Sequence, residues 1–455
     1  MASLDIVIMA AGKGTRMKSA HPKVLHRLAG KSLLQHVVEA VAGLAAARTL
    51  VVTGYGAETV EEQTRAQGLT FVRQQPQLGT GHAVQQVVPY LDDEGTTLIL
   101  NGDVPLIQPA TAAALVAASG GTSLALLTIE LGDASGYGRV VREGSMVKAI
   151  VEHNDATPAQ LEIREVYTGI LAAPTPWLKR AVMALTNRNA QREYYLTDIV
   201  ATAVAEGVPV VATKCTSETE VLGVNSPLQL AELERRFQRA RAEALMEAGV
   251  RLADPARFDV RGTLACGSDV EIDVGCVFEG NVTLADDVKI GAHCVIRDTQ
   301  IDAGAVILPF TYTVSAHIGA GAQVGPFARL RPGADLEPEV HIGNFVEIKN
   351  STLGRGAKAN HLAYVGDANV GERVNYGAGS IVANYDGANK HRTVIGADVH
   401  VGSNCVLVAP VTIGEGATIG AGSTIGKNAP AGQLTLARAR QVSIEGWKRP
   451  KKPEK

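Results

Sequence analysis

A six-residue repeat in the second half of the chain limits its fold more than any other feature. Aliphatic residues recur there in steps of six, and glycine follows most of them; the series is Ile395, Val401, Leu407, Ile413, Ile419 and Ile425. One aliphatic residue in every six, beside a small residue, is typical of a parallel β-helix, in which the aliphatic side chains stack inside the coil. The 176 residues from 262 to 437 would make about ten three-sided coils of about 18 residues each.

One step in the repeat is irregular. Val382 and Ile395 are 13 residues apart, which is not a multiple of six. The excess contains the polar, turn-forming run from Asn384 to Lys390, which we expect to project from the coil as a loop. Insertions of this kind often lie on the working face of a repeat protein.

The first half of the chain alternates short aliphatic runs with helical stretches such as 33–47 and 110–118. The predicted strands are Leu4–Met9, Thr49–Thr53, Thr97–Leu100, Leu124–Ile129 and Val208–Ala212. This alternation predicts βαβ units, a mostly parallel sheet, and ligand-binding loops at the carboxyl ends of the strands.

An amphipathic segment separates the two patterns. Ser226 and Pro227 open it and Gly249 closes it, which is the usual punctuation of a helix. We therefore expect an α/β domain over residues 1–225, a linker helix over 226–249, and a β-helix domain over 250–455. The last of these ends in a basic, proline-broken tail that we expect to fray.

The charge balance argues against nucleic-acid and membrane partners. Lysine and arginine total 43 against 46 acidic residues, the net charge is −3, and only 4% of residues are aromatic. Such a chain offers neither a basic surface nor a platform for stacking bases, and no stretch reaches the roughly 18 apolar residues that span a membrane. Five scattered cysteines without a CxxC pair favour a reducing compartment, so we expect a cytoplasmic protein that acts on small molecules.

A glycine-rich loop follows the first predicted strand. It reads Ala10-Ala11-Gly12-Lys13-Gly14-Thr15-Arg16-Met17, and Lys23 follows soon after. Two glycines after a strand let backbone N–H groups approach phosphate oxygens, and the three cations add positive charge. The phosphate-loop ATPase pattern is absent, and Met17 occupies the place of the third glycine of the dinucleotide-binding fingerprint. From these residues alone, a plain turn remains the alternative.

With Pro22-Lys23-Val24-Leu25, this loop resembles the signature of sugar-1-phosphate nucleotidyltransferases. Further matching segments follow in order: Gln77-Leu78-Gly79-Thr80-Gly81-His82-Ala83, Gly102-Asp103-Val104-Pro105-Leu106, Gly136-Tyr137-Gly138-Arg139, Ile150-Val151-Glu152-His153 and Gly223-Val224-Asn225. Together with the hexapeptide repeat, the chain resembles the bifunctional bacterial N-acetylglucosamine-1-phosphate uridylyltransferase/glucosamine-1-phosphate N-acetyltransferase family over about residues 4–448. The resemblance implies a Rossmann-like first domain and a left-handed coil in the second.

The resemblance also implies a site for UTP, N-acetylglucosamine-1-phosphate and Mg²⁺ in the first domain. Asp103, which follows a predicted strand, and Asn225 would bind Mg²⁺, while Arg16 and Lys23 would face the phosphates. The expected contacts to the nucleotide are Met9, Ala10, Gly12, Gln74, Gly79 and Thr80, and those to the sugar are Gly138, Glu152, Tyr167, Tyr195 and Thr197. Tyr167 departs from the family, which usually has Asn-Thr-Gly where this chain has Tyr167-Thr168-Gly169.

In the second domain, His361 differs from an ordinary structural histidine because its segment is unusually polar. The resemblance makes it the general base of acetyl transfer to glucosamine-1-phosphate, a role worth about 10²–10⁴ in rate. The residues implied to bind the sugar phosphate are Arg331, Lys349, Tyr364 and Asn375. Those implied to bind acetyl-CoA are Ala378, Asn384, Tyr385, Ser403, Ala421 and Arg438. Without the resemblance, scattered surface cations would be an equally common interpretation of Arg329, Arg331, Lys349 and Lys390.

Two main hypotheses follow. In the first, the chain is a bifunctional enzyme that makes UDP-N-acetylglucosamine for cell-envelope synthesis, assembled as the homotrimer that the resemblance implies. In the second, only the nucleotidyltransferase is active, and the β-helix is an oligomerising module, because a fold alone does not fix a function. A non-catalytic sugar-nucleotide sensor is disfavoured by the set of cations beside Asp103.

Overall fold

The computed structural model describes residues 3–64 and 68–452. The chain divides into two compact units, residues 1–237 and 238–455, and the last three residues of the basic tail lie outside the described residues. Within the described part of the chain, no helix is long and apolar enough to cross a membrane.

The first unit alternates strands and helices. Its strands are β1 (Leu4–Ala10), β2 (Arg27–Leu28), β3 (Lys31–Ser32), β4 (Arg48–Thr53), β5 (Leu69–Arg73), β6 (Thr96–Asn101), β7 (Leu124–Glu130), β8 (Gly138–Glu143), β9 (Met146–Val151), β10 (Glu165–Pro174) and β11 (Val210–Lys214). Its α-helices are α1 (Leu33–Val41), α2 (Ala57–Gln63), α3 (Thr80–Val87), α4 (Pro109–Ser119), α5 (Pro158–Leu161), α6 (Thr175–Met183), α7 (Asp198–Glu206) and α8 (Glu218–Val221). Helix α9 (Pro227–Glu247) runs across the boundary between the units.

The central sheet of the first unit has the order β11-β7-β10-β6-β1-β4-β5. Strands β6, β1, β4 and β5 are parallel to one another, as predicted, whereas β10 runs antiparallel to both β6 and β7. Ile6, Val7 and Ile8 of β1 are fully buried, which explains why this central strand is continuously apolar. Because β1 and β6 are parallel neighbours, the glycine-rich loop and the segment that contains Asp103 leave the sheet at the same edge.

The second unit is a parallel β-helix. Its strands are β12 (Arg251–Leu252), β13 (Phe258–Cys266), β14 (Glu271–Ile272), β15 (Cys276–Leu284), β16 (Lys289–Ile290), β17 (Val295–Arg297), β18 (Gln300–Ile301), β19 (Val306–Ile307), β20 (Tyr312–Val314), β21 (His317–Ile318), β22 (Gln323–Val324), β23 (Arg329–Leu330), β24 (Ala334–Leu336), β25 (His341–Asn344), β26 (Glu347–Lys349), β27 (Ser351–Leu353), β28 (Lys358–His361), β29 (Tyr364–Gly366), β30 (Ala368–Val370), β31 (Asn375–Tyr376), β32 (Ile381–Ala383), β33 (Thr393–Ile395), β34 (His400–Val401), β35 (Val406–Val408), β36 (Val411–Ile413), β37 (Thr418–Ile419), β38 (Thr424–Ile425) and β39 (Leu434–Thr435). They form an 11-stranded and a 17-stranded sheet, and the pairs within both are parallel.

The pairing register explains the hexapeptide pattern. Val401 pairs with Ile419, which is 18 residues further on, so three hexapeptides make one coil. The predicted inward stack is confirmed, because the aliphatic residues of the repeat, among them Leu407, Ile413 and Ile419, are at most 2% exposed. Glycine beside them is required where successive corners come close: a Cβ on Gly402 would lie 2.4 Å from the backbone nitrogen of Ala421.

The predicted loop is present where the repeat slips. Tyr376 pairs with Val401, 25 residues further on, so this coil exceeds an 18-residue coil by seven, the length of the run from Asn384 to Lys390. An antiparallel bridge between Tyr385 and Lys390 closes the run, whose residues after Asn384 are exposed. Backbone N–H groups of the loop and His391 bond to Asp386 and lower the pKa of its carboxyl group.

Candidate active sites

The first candidate site is a pocket of about 250 Å³ at the carboxyl edge of the first unit's sheet. It brings together nine of the predicted residues: Met9, Arg16, Thr80, Asp103, Gly138, Glu152, Tyr167, Thr197 and Asn225. Six other predicted residues are not among its lining residues: Ala10, Gly12, Lys23, Gln74, Gly79 and Tyr195. The first two of these belong to β1 and the loop that follows it, which itself contributes Arg16 to the pocket.

A compact polar cluster occupies one end of this pocket. The Lys23 ammonium contacts the Asp103 carboxylate, and it also donates a hydrogen bond of 3.1 Å to Oδ1 of Asn225. Arg16 donates to the same Asn225 oxygen at 2.9 Å. Two cations and one carboxylate leave excess positive charge, which suits the phosphates of a nucleotide.

The donors of this cluster also suit a hard divalent cation. The Lys23 ammonium shows that a positive charge fits between Asp103 and Asn225, whose oxygens are of the type that Mg²⁺ prefers. Among the described residues, no group of three or more His, Cys, Asp or Glu side chains could hold a metal ion. A cation here would therefore need further ligands from water or from substrate phosphates, which is the usual arrangement for Mg²⁺.

Glu152 and Tyr167 also line this pocket. Burial raises the pKa of Glu152, the Asp155 and Asp198 carboxylates raise it further, and Thr197 opposes them by donating a hydrogen bond of 2.9 Å. The Tyr167 side chain is buried, and its hydroxyl has no hydrogen-bond partner among the described residues. Burial together with the Glu152 charge raises the pKa of Tyr167. A carboxylate and an unpaired hydroxyl that line one pocket are suited to sugar hydroxyl or amide groups.

Gln74 and Gly79 form a separate polar group close to the start of α3. The Gln74 amide nitrogen donates to the carbonyl oxygen of Gly79 at 2.9 Å. Gly79 has a φ of 106°, and a Cβ there would lie 2.7 Å from the Tyr194 carbonyl oxygen, so glycine is required.

Tyr195, a predicted sugar contact, donates a hydrogen bond to Gln191. Burial and the Asp155 carboxylate raise the pKa of Tyr195 to about 12.

The second candidate site is a column along one corner of the β-helix. In the 11-stranded sheet, Ala359 pairs with Tyr376, Tyr376 with Val401, and Val401 with Ile419. The residues two positions after these four form the column: His361, Ala378, Ser403 and Ala421. Arg438 extends it, because its guanidinium donates a hydrogen bond of 2.8 Å to the Ala421 carbonyl oxygen. The predicted base and four of the predicted acetyl-CoA contacts therefore follow one another along the axis, in a line that suits a long, thin ligand.

The imidazole of His361 is exposed at the end of β28. Its Nδ1 lies 2.9 Å from Oδ1 of Asn344, which is its backbone pairing partner one coil earlier. An amide oxygen only accepts, so Nδ1 carries the hydrogen and Nε2 is left free to accept a proton. Asn344 is a positioning residue that the sequence did not reveal, although it lies one coil length before His361.

A cationic cluster lies on the neighbouring strands. The pKa of Lys349 is lowered mainly by the close approach of Lys390, then by burial, and also by the charge of Arg331. The Asp367 charge opposes this shift, so Lys349 lies among two further cations and one carboxylate, a set that suits a phosphate group. Tyr364 lies on the strand that pairs with that of Lys349, and Asn375 lies on the strand that pairs with that of His361.

The Asp367 carboxylate interacts with the charges of this cluster. The side-chain amides of Asn350 and Asn384 donate to its two carboxylate oxygens. Burial raises its pKa, but these amides and the charges of Lys349 and Lys390 outweigh burial and lower it overall. Asn384 is buried and bonded to Asp367, whereas Tyr385 at the start of the loop is exposed and donates to the Gly387 carbonyl oxygen. Nothing in the sequence pattern singled out Asp367, because its role depends on neighbours from adjacent coils.

The family models match both units. A MobA-like NTP transferase domain matches residues 6–215, and the bacterial transferase hexapeptide matches residues 392–427. Together with the two sites, these matches define a nucleotidyltransferase joined to a hexapeptide transferase.

The relatives identify the family. The chain is 72% identical to the "Bifunctional protein GlmU" of Methylibium petroleiphilum, with 99% of each chain covered. It is 64% identical to that of Albidiferax ferrireducens, with 99% of this chain and 100% of the relative covered. The chain therefore belongs to the family of bifunctional GlmU proteins, and the prediction of a uridylyltransferase and an acetyltransferase on one polypeptide is confirmed.

Proposed function

We propose that the second unit acetylates glucosamine-1-phosphate and that the first unit couples the product to UTP, which yields UDP-N-acetylglucosamine and pyrophosphate. The observation that carries this proposal is that each unit has its own cluster of cations able to bind phosphate: Arg16 and Lys23 in the first unit, and Arg331, Lys349 and Lys390 in the second. The alternative of a catalytically inactive β-helix is not favoured, because a purely oligomerising β-helix would not need an exposed histidine that is hydrogen-bonded to Asn344.

In the acetyl transfer, His361 acts as the general base. Its free Nε2 takes a proton from the amine of the sugar phosphate as that nitrogen attacks the thioester carbonyl of acetyl-CoA. The new C–N bond replaces the C–S bond, the proton taken by His361 passes to the departing sulfur, and coenzyme A leaves as the thiol. Arg331 and Lys349 hold the sugar phosphate, with Tyr364 and Asn375 beside it.

Acetyl-CoA binds along the corner column. Ala378, Ser403 and Ala421 are small, so they leave room for a ligand to lie against the corner. The guanidinium of Arg438 is exposed at the end of the column, where it suits the phosphates of coenzyme A. Asn384 and Tyr385, at the start of the loop from Asn384 to Lys390, also contact acetyl-CoA.

In the uridylyl transfer, a phosphate oxygen of N-acetylglucosamine-1-phosphate attacks the α-phosphorus of UTP, and the bond to pyrophosphate breaks. Arg16 and Lys23 neutralise the charge of the two polyanions. Asp103 and Asn225 would hold Mg²⁺, which supplies further charge stabilisation when bound. Lys23 must then release Asp103 and turn to the phosphates.

The rest of the first site selects the two substrates. The backbone of residues 9–12, with Gln74, Gly79 and Thr80, binds the uridine. Gly138, Glu152, Tyr195 and Thr197 bind the sugar, and the Tyr167 hydroxyl takes the place of the usual asparagine amide beside the N-acetyl group. This hydroxyl has no hydrogen-bond partner in the described part of the chain, and the sugar would supply one.

The proposed assembly is a cytoplasmic homotrimer. An exposed ladder of stacked rings supports self-association: the ring centroids of Phe310 and Phe327 are 5.0 Å apart, and those of Phe327 and Phe345 are 5.4 Å apart. Each of these rings is about half exposed, which is costly for a surface in water unless another apolar surface covers it.

The test is a two-product assay on the full chain. We expect free thiol from acetyl-CoA only when glucosamine-1-phosphate is present, and Mg²⁺-dependent pyrophosphate from UTP only when N-acetylglucosamine-1-phosphate is present. Thiol release without any amino sugar phosphate, or pyrophosphate release that glucose-1-phosphate supports equally well, would contradict the proposal.

A further inference from the structure

Gln74 is held in one orientation by two partners on the same side of its amide. Its Nε2 lies 2.9 Å from the Gly79 carbonyl oxygen and 3.1 Å from Nδ1 of His82. Gln74 is 3% exposed, so water offers it little competition. A carbonyl oxygen can only accept, which fixes the nitrogen of the Gln74 amide on this side.

The same contacts fix the state of His82. If Gln74 Nε2 donates to Nδ1, this ring nitrogen carries no hydrogen, and the hydrogen of the neutral ring is on Nε2. Burial lowers the pKa of His82, which favours the neutral ring. Gln86 Nε2 lies 3.2 Å from His82 Nε2 and also 3.2 Å from the His82 carbonyl oxygen. Because Gln86 is less buried than Gln74 and its bond to a carbonyl oxygen is longer, the Gln86 amide is the one that turns its oxygen toward this N–H group.

Only the amide oxygen of Gln74 is then available to a ligand. Among the described residues it has no hydrogen-bond partner, and it is not shut off from solvent. An amide fixed in this way can accept a hydrogen bond from a base but cannot donate one to it. The N3 position of uracil is a donor, whereas N3 of cytosine is an acceptor.

We propose that His82 is a positioning residue that makes Gln74 an acceptor and thereby selects UTP over CTP. This inference rests on the proposed role of Gln74 in binding the uracil. His82 acts through Gln74, whose amide nitrogen lies within hydrogen-bond distance of its Nδ1. It is held in place by α3 and by Tyr194, whose ring centroid is 6.0 Å away.

The test is a pair of variants of similar shape, His82→Asn and His82→Leu. The Oδ1 of asparagine can occupy the place of Nδ1 and accept from Gln74, whereas leucine fills similar space without an acceptor. For each variant, kcat and KM are measured with UTP and with CTP in the full chain. For His82→Leu we expect the UTP/CTP ratio of kcat/KM to fall about tenfold, as for one lost hydrogen bond, mainly through a higher KM for UTP. We expect His82→Asn to retain most of the ratio.

Equal loss of the ratio in both variants would overturn the inference, because it would show that histidine matters through packing alone. An unchanged ratio in His82→Leu would also overturn it. If the unmodified protein releases no pyrophosphate from UTP, the proposed function fails instead, so the two failures are distinguishable. An unchanged KM for N-acetylglucosamine-1-phosphate in His82→Leu shows that the fold of the pocket is retained.

Discussion

The two units assemble their sites in opposite ways. In the first unit, Lys23 contacts Asp103 and Asn225, which are 80 and 202 residues away in the sequence. In the second unit, His361 bonds to Asn344, 17 residues away, and the column that follows it repeats with each coil. A site in an α/β fold therefore depends on the whole topology, whereas a site on a β-helix depends on the register of neighbouring coils.

This difference also affects how far a substitution should act. Each unit has its own buried core, and each proposed site lies within one unit. We therefore expect a substitution in one site to leave the reaction of the other unit unchanged. The predictions below test this separation, and they follow in order of decreasing effect.

The largest expected effect is that of His361→Ala on acetyl transfer. Loss of the general base should lower thiol release by about 10²–10⁴-fold, while pyrophosphate release from UTP should remain unchanged. Both products are measured on the same preparation. His341→Ala is the matched control, because His341 lies on the same sheet one coil earlier, on the strand that also carries Asn344. If thiol release survives His361→Ala undiminished, the general-base role is wrong.

The reverse separation is expected for Asp103→Asn. This substitution removes a carboxylate from the pocket, so uridylyl transfer should fall by about 10²–10³-fold, with a higher Mg²⁺ concentration needed for half-maximal rate. Acetyl transfer should not change. Asp93→Asn, which removes an exposed carboxylate paired with Lys179, is the control. An unaltered Mg²⁺ dependence in Asp103→Asn would exclude Asp103 as a metal ligand.

The same contrast explains what the sequence could predict. The hexapeptide period predicted the coil, the inward stack and the loop from Asn384 to Lys390. It could do so because the aliphatic residue of each repeat marks, in the sequence itself, which position points inward and where the period is interrupted. In the first unit, periodicity predicted β1 and β6 but not that β10 would lie antiparallel between β6 and β7. The pairing of β10 is set by distant contacts that no local pattern contains.

The candidate sites divide in a similar way. Asp103 could be proposed because it follows a strand, whereas Asn225 required the resemblance, since its partners are distant in the sequence. Asn344 could have been found by counting back one coil from His361. Asp367 and His82 could not, because their importance lies in side-chain hydrogen bonds that only the fold brings together.

A smaller effect is expected for Lys349→Gln. Crowding with Lys390 lowers the pKa of Lys349, and a substrate phosphate should relieve this repulsion. Removing one charge should therefore raise the KM for glucosamine-1-phosphate about tenfold, with a smaller change in kcat, as initial rates of thiol release would show. Lys358→Gln, an exposed lysine on the strand of His361, should leave KM unchanged. A fall in kcat alone would mean that Lys349 does not bind the phosphate.

The smallest effect concerns Glu152, and it appears as stability. Because the pKa of Glu152 is raised in the folded protein, the folded state resists ionisation. At pH values well below 4.5, the carboxyl group is protonated in both the folded and the unfolded protein and does not affect stability. As the pH rises through the ordinary pKa and past the raised pKa of the folded protein, the folded protein loses stability. Glu152→Gln keeps an acceptor for Thr197 and removes this loss, so its gain in Tm should grow from pH 4.5 to pH 8, by about 2–4 °C for each kcal/mol.

The melting of the first unit can be followed alone, which makes this last effect measurable. The chain has two tryptophans, and in a Trp447→Phe background the fluorescence of the buried Trp177 reports on the first unit. Glu162→Gln, which removes an exposed carboxyl group, should give no pH-dependent gain. A gain in Glu152→Gln that is the same at every pH would mean that the Glu152 charge is already satisfied in the free protein. The first site would then contain no carboxylate that lacks its hydrogen-bond partners until the sugar binds. It would differ in this respect from the second site, where the cations around Lys349 lack a counter-charge until a phosphate binds.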